Sequence, residues 1–205
     1  MTSNGFSLSK VATAFACVRT EDGDLSLREY TQAYYELNKF FPLLGRLMGF
    51  VASDVTEKAE VLMEYVDSAG EPYRTIQSMI KHEVDNNLTI QKSKASGSRT
   101  LLRLHRALDF IIQFFENVVE CKTNSLAGVA FQAYSNSLAQ YHSWVVRKGV
   151  QMAVYMLPYR KDLIAKLGEE ESDVVCEIKS LADLMKPIYE ETQRLYTEYK
   201  LHELP

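Results

Sequence analysis

Residues 98–115 have the sequence SRTLLRLHRALDFIIQFF, and this stretch decides how the fold is interpreted. Its apolar residues recur at helical spacing, which predicts one long amphipathic helix. Arg99, Arg103 and Arg106 are spaced i, i+4 and i+7, so their side chains share one face of that helix. The helix continues into a strongly apolar segment at 110–115. A row of guanidinium groups that leads to an apolar helix face suits an anionic head joined to a hydrocarbon tail, which indicates a lipid ligand.

The overall composition is that of a globular protein. The 205 residues suffice for one domain with a large core, and we expect residues 1–205 to form a single domain. Hydrophobic residues make up 46% of the chain and charged residues 24%, a balance that argues against disorder. The net charge of −4 argues against a nucleic-acid partner, so an anion has to be bound by a local cluster of cations.

The cysteines and the apolar runs predict a cytosolic protein that contacts membranes only at their surface. Cys17, Cys121 and Cys176 lie far apart and form no CxxC pair, which favours reduced thiols in an intracellular protein. We find no secretory signal and no lipidation motif. No apolar run approaches the ~20 residues that a membrane-spanning helix requires.

Helical patterns dominate the whole chain and predict an all-α fold. Strand-like alternation is scarce, and the 9 glycines and 5 prolines stand mostly at plausible helix ends. Pro42 and Gly45 are expected to kink the second helix, Ser53 to cap the third, and Pro187 to bend the last. The predicted helices span about 7–19, 26–50, 53–68, 73–87, 98–121, 126–141, 143–157, 162–167 and 172–199.

The segment FFPLLGRLMGFV at 40–51 is apolar almost all round and has two interpretations. A buried core helix is the ordinary one, because most apolar stripes pack inside a protein. The alternative is one wall of a cavity for hydrocarbon chains, where each buried CH₂ contributes ~0.8 kcal/mol. The sequence alone leaves both open.

Asp54 and Lys58 are spaced i, i+4 and also have two interpretations. An exposed ion pair at this spacing is common and contributes only ~0.3–0.5 kcal/mol. In a ligand site the pair would separate, with Asp54 accepting a hydrogen bond from the ligand and Lys58 offering a charge to an anion.

The arginine row is similarly either a solvated helix face or an anion site. Few acids lie within four residues of it, and only Asp109 stands three positions after Arg106. A row of arginines with so few acidic partners favours an anion site. Arg99 and Arg103 have the fork geometry that binds a phosphate with short, charge-assisted hydrogen bonds.

Trp144, the only tryptophan, is followed by Arg147 and Lys148. It is either a core residue or an anchor at a bilayer surface, where amphipathic rings and basic side chains occur together.

No pattern in the chain predicts catalysis, a metal site or a cofactor. A P-loop, a nucleophile elbow, a paired-carboxylate signature and an HExxH motif are all missing. The histidines are scattered along the chain, at His82, His105, His142 and His202.

Several ordered segments resemble the glycolipid transfer protein superfamily. They are the Asp54–Lys58 pair, SGSRTLLRLHRAL at 96–108, HSWVVRK at 142–148 and LPYR at 157–160. The closing segment LYTEYKLHELP at 195–205 is similar to the branch of that family that carries ceramide-1-phosphate. The resemblance covers essentially the whole chain.

The resemblance implies a two-layer helical sandwich that encloses a sphingolipid, with five or six polar residues at its head group. In that family an aspartate accepts the amide N–H and a histidine donates to the acyl carbonyl, and these map to Asp54 and His142. The phosphate-binding cations map to Lys58, Arg99 and Arg103, and Arg106 is placed beside them. Glycolipid-binding members have a tryptophan where this chain has Arg103, and an asparagine where it has Lys58.

The resulting hypothesis is a non-enzymatic carrier that moves ceramide-1-phosphate between membranes. Trp144, Arg147 and Lys148 are expected to dock it on the bilayer. The expected cavity lining is Phe40, Leu44, Leu47, Phe50, Phe110 and Phe114. A sphingolipid or glycolipid sensor that signals to a partner is the alternative, and a lipid-modifying enzyme is disfavoured because no nucleophile–base pair is present.

Overall fold

The computed structural model describes residues 5–91 and 94–205, apart from the side chain of Leu47. Within those residues the regular structure is helical, and extended segments meet only in isolated bridges such as Ser26 with Thr75. The all-α prediction is confirmed.

Nine α-helices occur in the described part of the chain. They are α1 (Leu8–Ala16), α2 (Leu27–Asn38), α3 (Gly49–Ser68), α4 (Ile76–Asp85), α5 (Gly97–Glu120), α6 (Leu126–Asn136), α7 (Trp144–Ala153), α8 (Arg160–Leu167) and α9 (Glu171–Glu198). Short 3₁₀ helices lie at Phe41–Leu44, Arg46–Met48, Glu71–Tyr73, Ala139–Tyr141 and Val154–Met156.

The prediction of one kinked helix over 26–50 is wrong. Helix α2 ends at Asn38, and two 3₁₀ turns follow. Pro42 has no N–H for a continuing helix, and Gly45 adopts φ 116°, a conformation that side chains other than glycine rarely accept. Helix α3 then begins at Gly49, so Ser53 lies inside it and does not cap it.

Four further helices are shorter than predicted, and the last is as long as predicted. Helix α1 ends at Ala16 instead of near residue 19, and α4 spans Ile76–Asp85 instead of 73–87. The segments expected at 126–141 and 143–157 leave α geometry at Asn136 and Ala153 and finish as 3₁₀ turns. Helix α9 continues through Pro187 to Glu198.

Helix α5 lies at the centre of the packing and contacts α3, α4, α6 and α9. Its buried face carries leucines, isoleucines and phenylalanines from Leu101 to Val118, which form much of the core. On the other side of the molecule α1 packs on α2 and α9, and α2 packs on α3. The arginine helix of the sequence is therefore the element on which four of the other helices pack.

A buried carboxylate sets the first turn of α5. Glu83 is fully buried and accepts hydrogen bonds from the backbone N–H groups of Gly97 (2.7 Å) and Ser98 (2.8 Å) and from the Tyr73 hydroxyl (3.0 Å). The first N–H groups of a helix have no partner within it and carry partial positive charge, so they stabilise an anion there. Ser96 caps the same turn by accepting from the N–H of Arg99 at 3.1 Å.

His105 locks α5 to α9. Its buried ring stacks on Tyr189 with centroids 4.4 Å apart, and its Nε2 lies 2.6 Å from Oε1 of Gln193. Burial lowers the pKa of His105 to about 4, so the ring is neutral at physiological pH. This histidine is a structural group.

Gly97→Ala is expected to destabilise the fold because the site has no room for a methyl group. A Cβ there would overlap Sδ of Met79 and lie 3.1 Å from Oε1 of Glu83. Overpacking of this kind costs about 1–3 kcal/mol, measurable as the free energy of unfolding in urea. Gly128→Ala, in α6 with nothing within 4 Å of its Cβ, is the matched control and should be neutral or slightly stabilising. Equal stability of the two variants would contradict the prediction.

Stability is expected to fall as the pH drops from 6.5 towards 4. The pKa of His105 is lower in the folded chain than its ordinary value of 6.5, so the unfolded chain binds more protons in this range. The lost contribution is about 3 kcal/mol, and denaturant titrations at several pH values measure it. In His105→Gln this part of the pH dependence should disappear, whereas His82→Gln should retain it.

Candidate functional site

A cavity of about 470 Å³ opens beside α5. Its wall is almost entirely apolar, and its polar side chains are those of Arg46, Tyr134 and His142. The apolar lining comes from the 3₁₀ segments and helices around it: Phe41, Leu44, Met48, Val51, Ala107, Phe110, Ile111, Phe114, Ala130, Leu138, Val150, Ala153, Val154, Met156 and Leu157. Such a cavity is suited to a hydrocarbon chain.

Three of the expected lining residues line this cavity: Leu44, Phe110 and Phe114. Phe40 does not, because it is buried behind the wall with its ring 6.2 Å from Phe114 and 5.1 Å from Phe115. The side chain of Leu47 lies outside the described residues.

Phe50 also departs from its expected place, since 80% of it is exposed. Helix α3 buries Val55, Ala59 and Leu62, and this stripe continues towards the helix start at positions 51 and 52. Phe50 falls beside the stripe, so its ring faces solvent near the cavity instead of lining it.

Asp54 and Lys58 form an ion pair on α3. Nζ of Lys58 contacts Oδ1 of Asp54 directly and lies 3.4 Å from the Asp54 carbonyl oxygen. The lysine side chain is only 17% exposed and the aspartate side chain 62%. In this state each charge is compensated by the other, and Asp54 keeps an oxygen that faces solvent.

Arg103 is the least engaged cation of the row on α5. It is exposed, and its side chain makes no hydrogen bond or ion pair with any residue that the structure describes. Arg99 is half-buried, and its Nε donates to the carbonyl oxygen of Pro205. This contact occupies one edge of the guanidinium group, so the Nη atoms remain available to an anion.

Arg106 makes two contacts within the protein. Its Nη2 donates to the carbonyl oxygen of His202 at 2.6 Å, and its guanidinium group lies 3.6 Å above the ring of Tyr141. Burial lowers the pKa of this arginine. The three arginines share a face as predicted, but Arg106 joins α5 to the C-terminal segment and to the residue before His142.

His142 lies in the cavity wall, near the charged groups of α3 and α5. It follows the 3₁₀ turn Ala139–Tyr141 in an extended conformation, and its Nδ1 lies 2.9 Å from the hydroxyl of Tyr134. Burial and the positive charge of Arg106 lower the pKa of His142, and Asp54 acts in the opposite direction. Residues from α3, α5 and the segment before α7 therefore converge at one end of the cavity.

Two tyrosines of the candidate site could not be predicted from the sequence. Tyr134 carries no sequence signal, because its link to His142 depends on how α6 packs beside the following turn. Tyr141 precedes His142, but nothing in the sequence shows that its ring receives Arg106.

Exposed apolar residues lie on and beside the elements that line the cavity. Trp144 is 67% exposed, and Val51 and Met156 line the cavity and are exposed as well. No residue of α7 is fully buried, and Arg147 and Lys148 on it face solvent. The other exposed apolar residues of this region are Phe50, Phe131, Tyr141, Val145, Val146, Met152, Tyr155 and Tyr159.

The described residues offer neither a membrane span nor a metal site. None of their helices combines the length and apolarity needed to cross a bilayer. No group of three or more His, Cys, Asp or Glu side chains in the described ranges is arranged to hold a metal ion.

Comparisons with known proteins agree over almost the full chain. Residues 25–169 match the glycolipid transfer protein (GLTP) family. The Xenopus laevis ceramide-1-phosphate transfer protein is 34% identical over 213 residues, covering 100% of this chain and 99% of that protein.

Two solved structures have the same fold. The mouse ceramide-1-phosphate transfer protein without ligand superposes with a TM-score of 0.92 at 32% identity, over 98% of this chain and 100% of that one. The human protein in complex with 12:0 ceramide-1-phosphate gives a TM-score of 0.91 at 30% identity, with the same coverage. The expected two-layer helical sandwich is confirmed, and the chain belongs to the glycolipid transfer protein family.

Proposed function

We propose that this protein binds ceramide-1-phosphate and carries it between membranes without altering it chemically. The proposal is supported by a row of cations on α5 that leads along the same helix to an apolar cavity. Ala107 lines the cavity one helical turn after Arg103, and Val51 lines it one turn before Asp54. A phosphate at the cations therefore leaves the attached chains directed into the cavity.

The phosphate is assigned to Lys58, Arg99 and Arg103. Arg103 has no competing partner among the described residues, and the Nη atoms of Arg99 are free of the contact that its Nε makes. Charge-assisted hydrogen bonds from guanidinium groups are stronger than neutral ones, and a dianionic phosphate accepts several at once. Lys58 joins them when its contact with Asp54 is exchanged for a contact with the ligand.

The amide group of the lipid is assigned to Asp54 and His142. When Lys58 leaves Asp54 for the ligand, the Asp54 carboxylate accepts a hydrogen bond from the amide N–H. His142 donates a hydrogen bond to the acyl carbonyl. The lowered pKa of His142 keeps the imidazole neutral, so it needs no counter-charge in an apolar cavity.

The tails are assigned to the cavity, and the membrane contact to the exposed apolar region around its opening. Each CH₂ that leaves water contributes about 0.8 kcal/mol, which favours binding of the chains without polar contacts. Trp144 and the apolar residues near it enter the bilayer surface, and Arg147 and Lys148 face anionic head groups. A lipid then passes between bilayer and cavity without exposing its tails to water.

The names of the relatives support this assignment. A protein named for ceramide-1-phosphate transfer aligns over the full chain, and the human one has been solved with that lipid. A lipid sensor is the alternative with the same binding site. Repeated intervesicle transfer by catalytic amounts of protein distinguishes a carrier from a sensor, which binds lipid but turns over little.

Arg103→Ala is expected to lower the transfer of labelled ceramide-1-phosphate between vesicles by roughly tenfold or more. The variant loses charge-assisted hydrogen bonds worth about 1.5–3 kcal/mol, while its exposed position leaves folding unchanged. Arg28→Ala is the matched control, because Arg28 pairs with Asp67, about 20 Å along α3 from Asp54. Undiminished transfer by Arg103→Ala, or faster wild-type transfer of a galactosyl lipid, would refute the assignment.

Trp144→Ala is expected to weaken adsorption to vesicles and slow transfer, each by roughly tenfold, because a large apolar ring no longer enters the bilayer. Affinity for a short-chain, water-soluble ceramide-1-phosphate should stay the same, since Trp144 does not line the cavity. Ile90→Ala removes a similarly exposed apolar residue from the loop after α4 and should change neither quantity. A loss of short-chain affinity in Trp144→Ala would show that the residue belongs to the binding site.

A further inference from the structure

The hydroxyl of Tyr134 is a polar group in the cavity wall to which the proposed function assigns no role. Tyr134 lies on α6, is buried and lines the same cavity as His142. Its hydroxyl oxygen is 2.9 Å from Nδ1 of His142, and the two ring centroids are 5.6 Å apart at an interplanar angle of 36°. The rings are therefore joined through the hydroxyl group and not by stacking.

The direction of this hydrogen bond decides which nitrogen of His142 is a donor. A neutral imidazole carries one N–H, so a proton on Nδ1 leaves Nε2 as an acceptor, and the reverse holds. Burial raises the pKa of the Tyr134 hydroxyl, with Arg147 opposing the shift, so the hydroxyl is protonated at neutral pH. Arg106 and Asp54 are the charged groups that act on His142 itself.

Only one arrangement satisfies both groups. If Nδ1 donated to the tyrosine, the tyrosine O–H would need another acceptor, and it has none among the residues that the structure describes. If the hydroxyl donates to Nδ1, its proton is satisfied and the imidazole proton lies on Nε2. Nε2–H is then free to donate to a ligand, whereas the opposite tautomer would place an acceptor against a carbonyl oxygen.

We propose that Tyr134 is a positioning residue, whose hydroxyl donates to Nδ1 of His142 and holds the imidazole in the Nε2–H tautomer that recognises the amide carbonyl of the lipid. This inference rests on the proposed function for its ligand. The hydrogen bond itself is a property of the free protein. The same contact also holds the orientation of the imidazole ring against α6.

The first test is the tautomer of His142 in Tyr134→Phe, a change that keeps the buried ring and removes only the hydroxyl. In ¹⁵N spectra of histidine-labelled protein at neutral pH, wild type should show His142 protonated on Nε2, with the signal assigned by its loss in His142→Asn. Tyr134→Phe should show a mixture of tautomers. Tyr30→Phe, which removes a buried tyrosine hydroxyl outside the cavity lining, should leave the His142 signals unchanged.

The second test separates recognition of the carbonyl from general effects on the site. Tyr134→Phe should bind ceramide-1-phosphate about fivefold more weakly, the equivalent of one typical hydrogen bond. It should bind sphingosine-1-phosphate like wild type, because that lipid has the phosphate and the sphingoid chain but no acyl carbonyl. Equal weakening for both lipids would reduce Tyr134 to a structural role.

The outcomes distinguish this inference from the proposed function. If wild type binds ceramide-1-phosphate but His142 has the same tautomer in Tyr134→Phe, the positioning role is overturned and the proposed function stands. If wild type does not bind ceramide-1-phosphate, the proposed function fails and the carbonyl contact fails with it.

Discussion

The buried carboxylate of Glu83 at the start of α5 is the interaction on which the rest of the structure depends. It is held by the two N–H groups that begin the helix and by the Tyr73 hydroxyl, so the charge is buried with partners in place. Because the first turn is fixed, the rotation of α5 about its axis is fixed as well. That rotation turns the arginine row outward and directs Phe110 and Phe114 to the cavity. Glycine at position 97 follows from the same constraint, since Met79 and Glu83 occupy the space of a side chain.

The head-group site is stabilised by contacts that a ligand can replace. Lys58 is paired with Asp54, while Arg99 donates to a carbonyl oxygen of the C-terminal segment. The Asp54 side chain of this pair is largely exposed, so exchanging its lysine contact for a phosphate costs little net stability. Arg103 stands apart because it has no partner among the described residues. Arg106 is engaged on both sides, by His202 and by Tyr141, and is better understood as a link between α5 and the His142 segment than as a free cation.

The exposed apolar residues around the cavity are not explained by packing within the fold. Helix α7 has no fully buried residue, and rings such as Phe50 and Trp144 face solvent. Large exposed apolar patches disfavour solubility and generally mark a surface that binds something. Their position on the elements that line the cavity connects two properties that a lipid carrier requires, a dry interior and a surface compatible with a bilayer. One region of the chain, from Trp144 to Tyr159, contributes to both.

The sequence by itself determined the all-α class, the arginine row on one helix face and the family, because helical periodicity and ordered motifs are local properties. It also identified Leu44, Phe110 and Phe114 as cavity residues. Only the tertiary structure decided that Phe40 lies behind the wall and that Phe50 faces solvent, since two 3₁₀ turns separate α2 from α3 and Phe50 falls beside the buried stripe of α3. The partners Glu83 and Tyr134 also emerged only there. The contact of Glu83 with Gly97 and that of Tyr134 with His142 each join segments that meet only through packing. Neither the spacing nor the composition of the sequence shows which distant group a side-chain oxygen will contact.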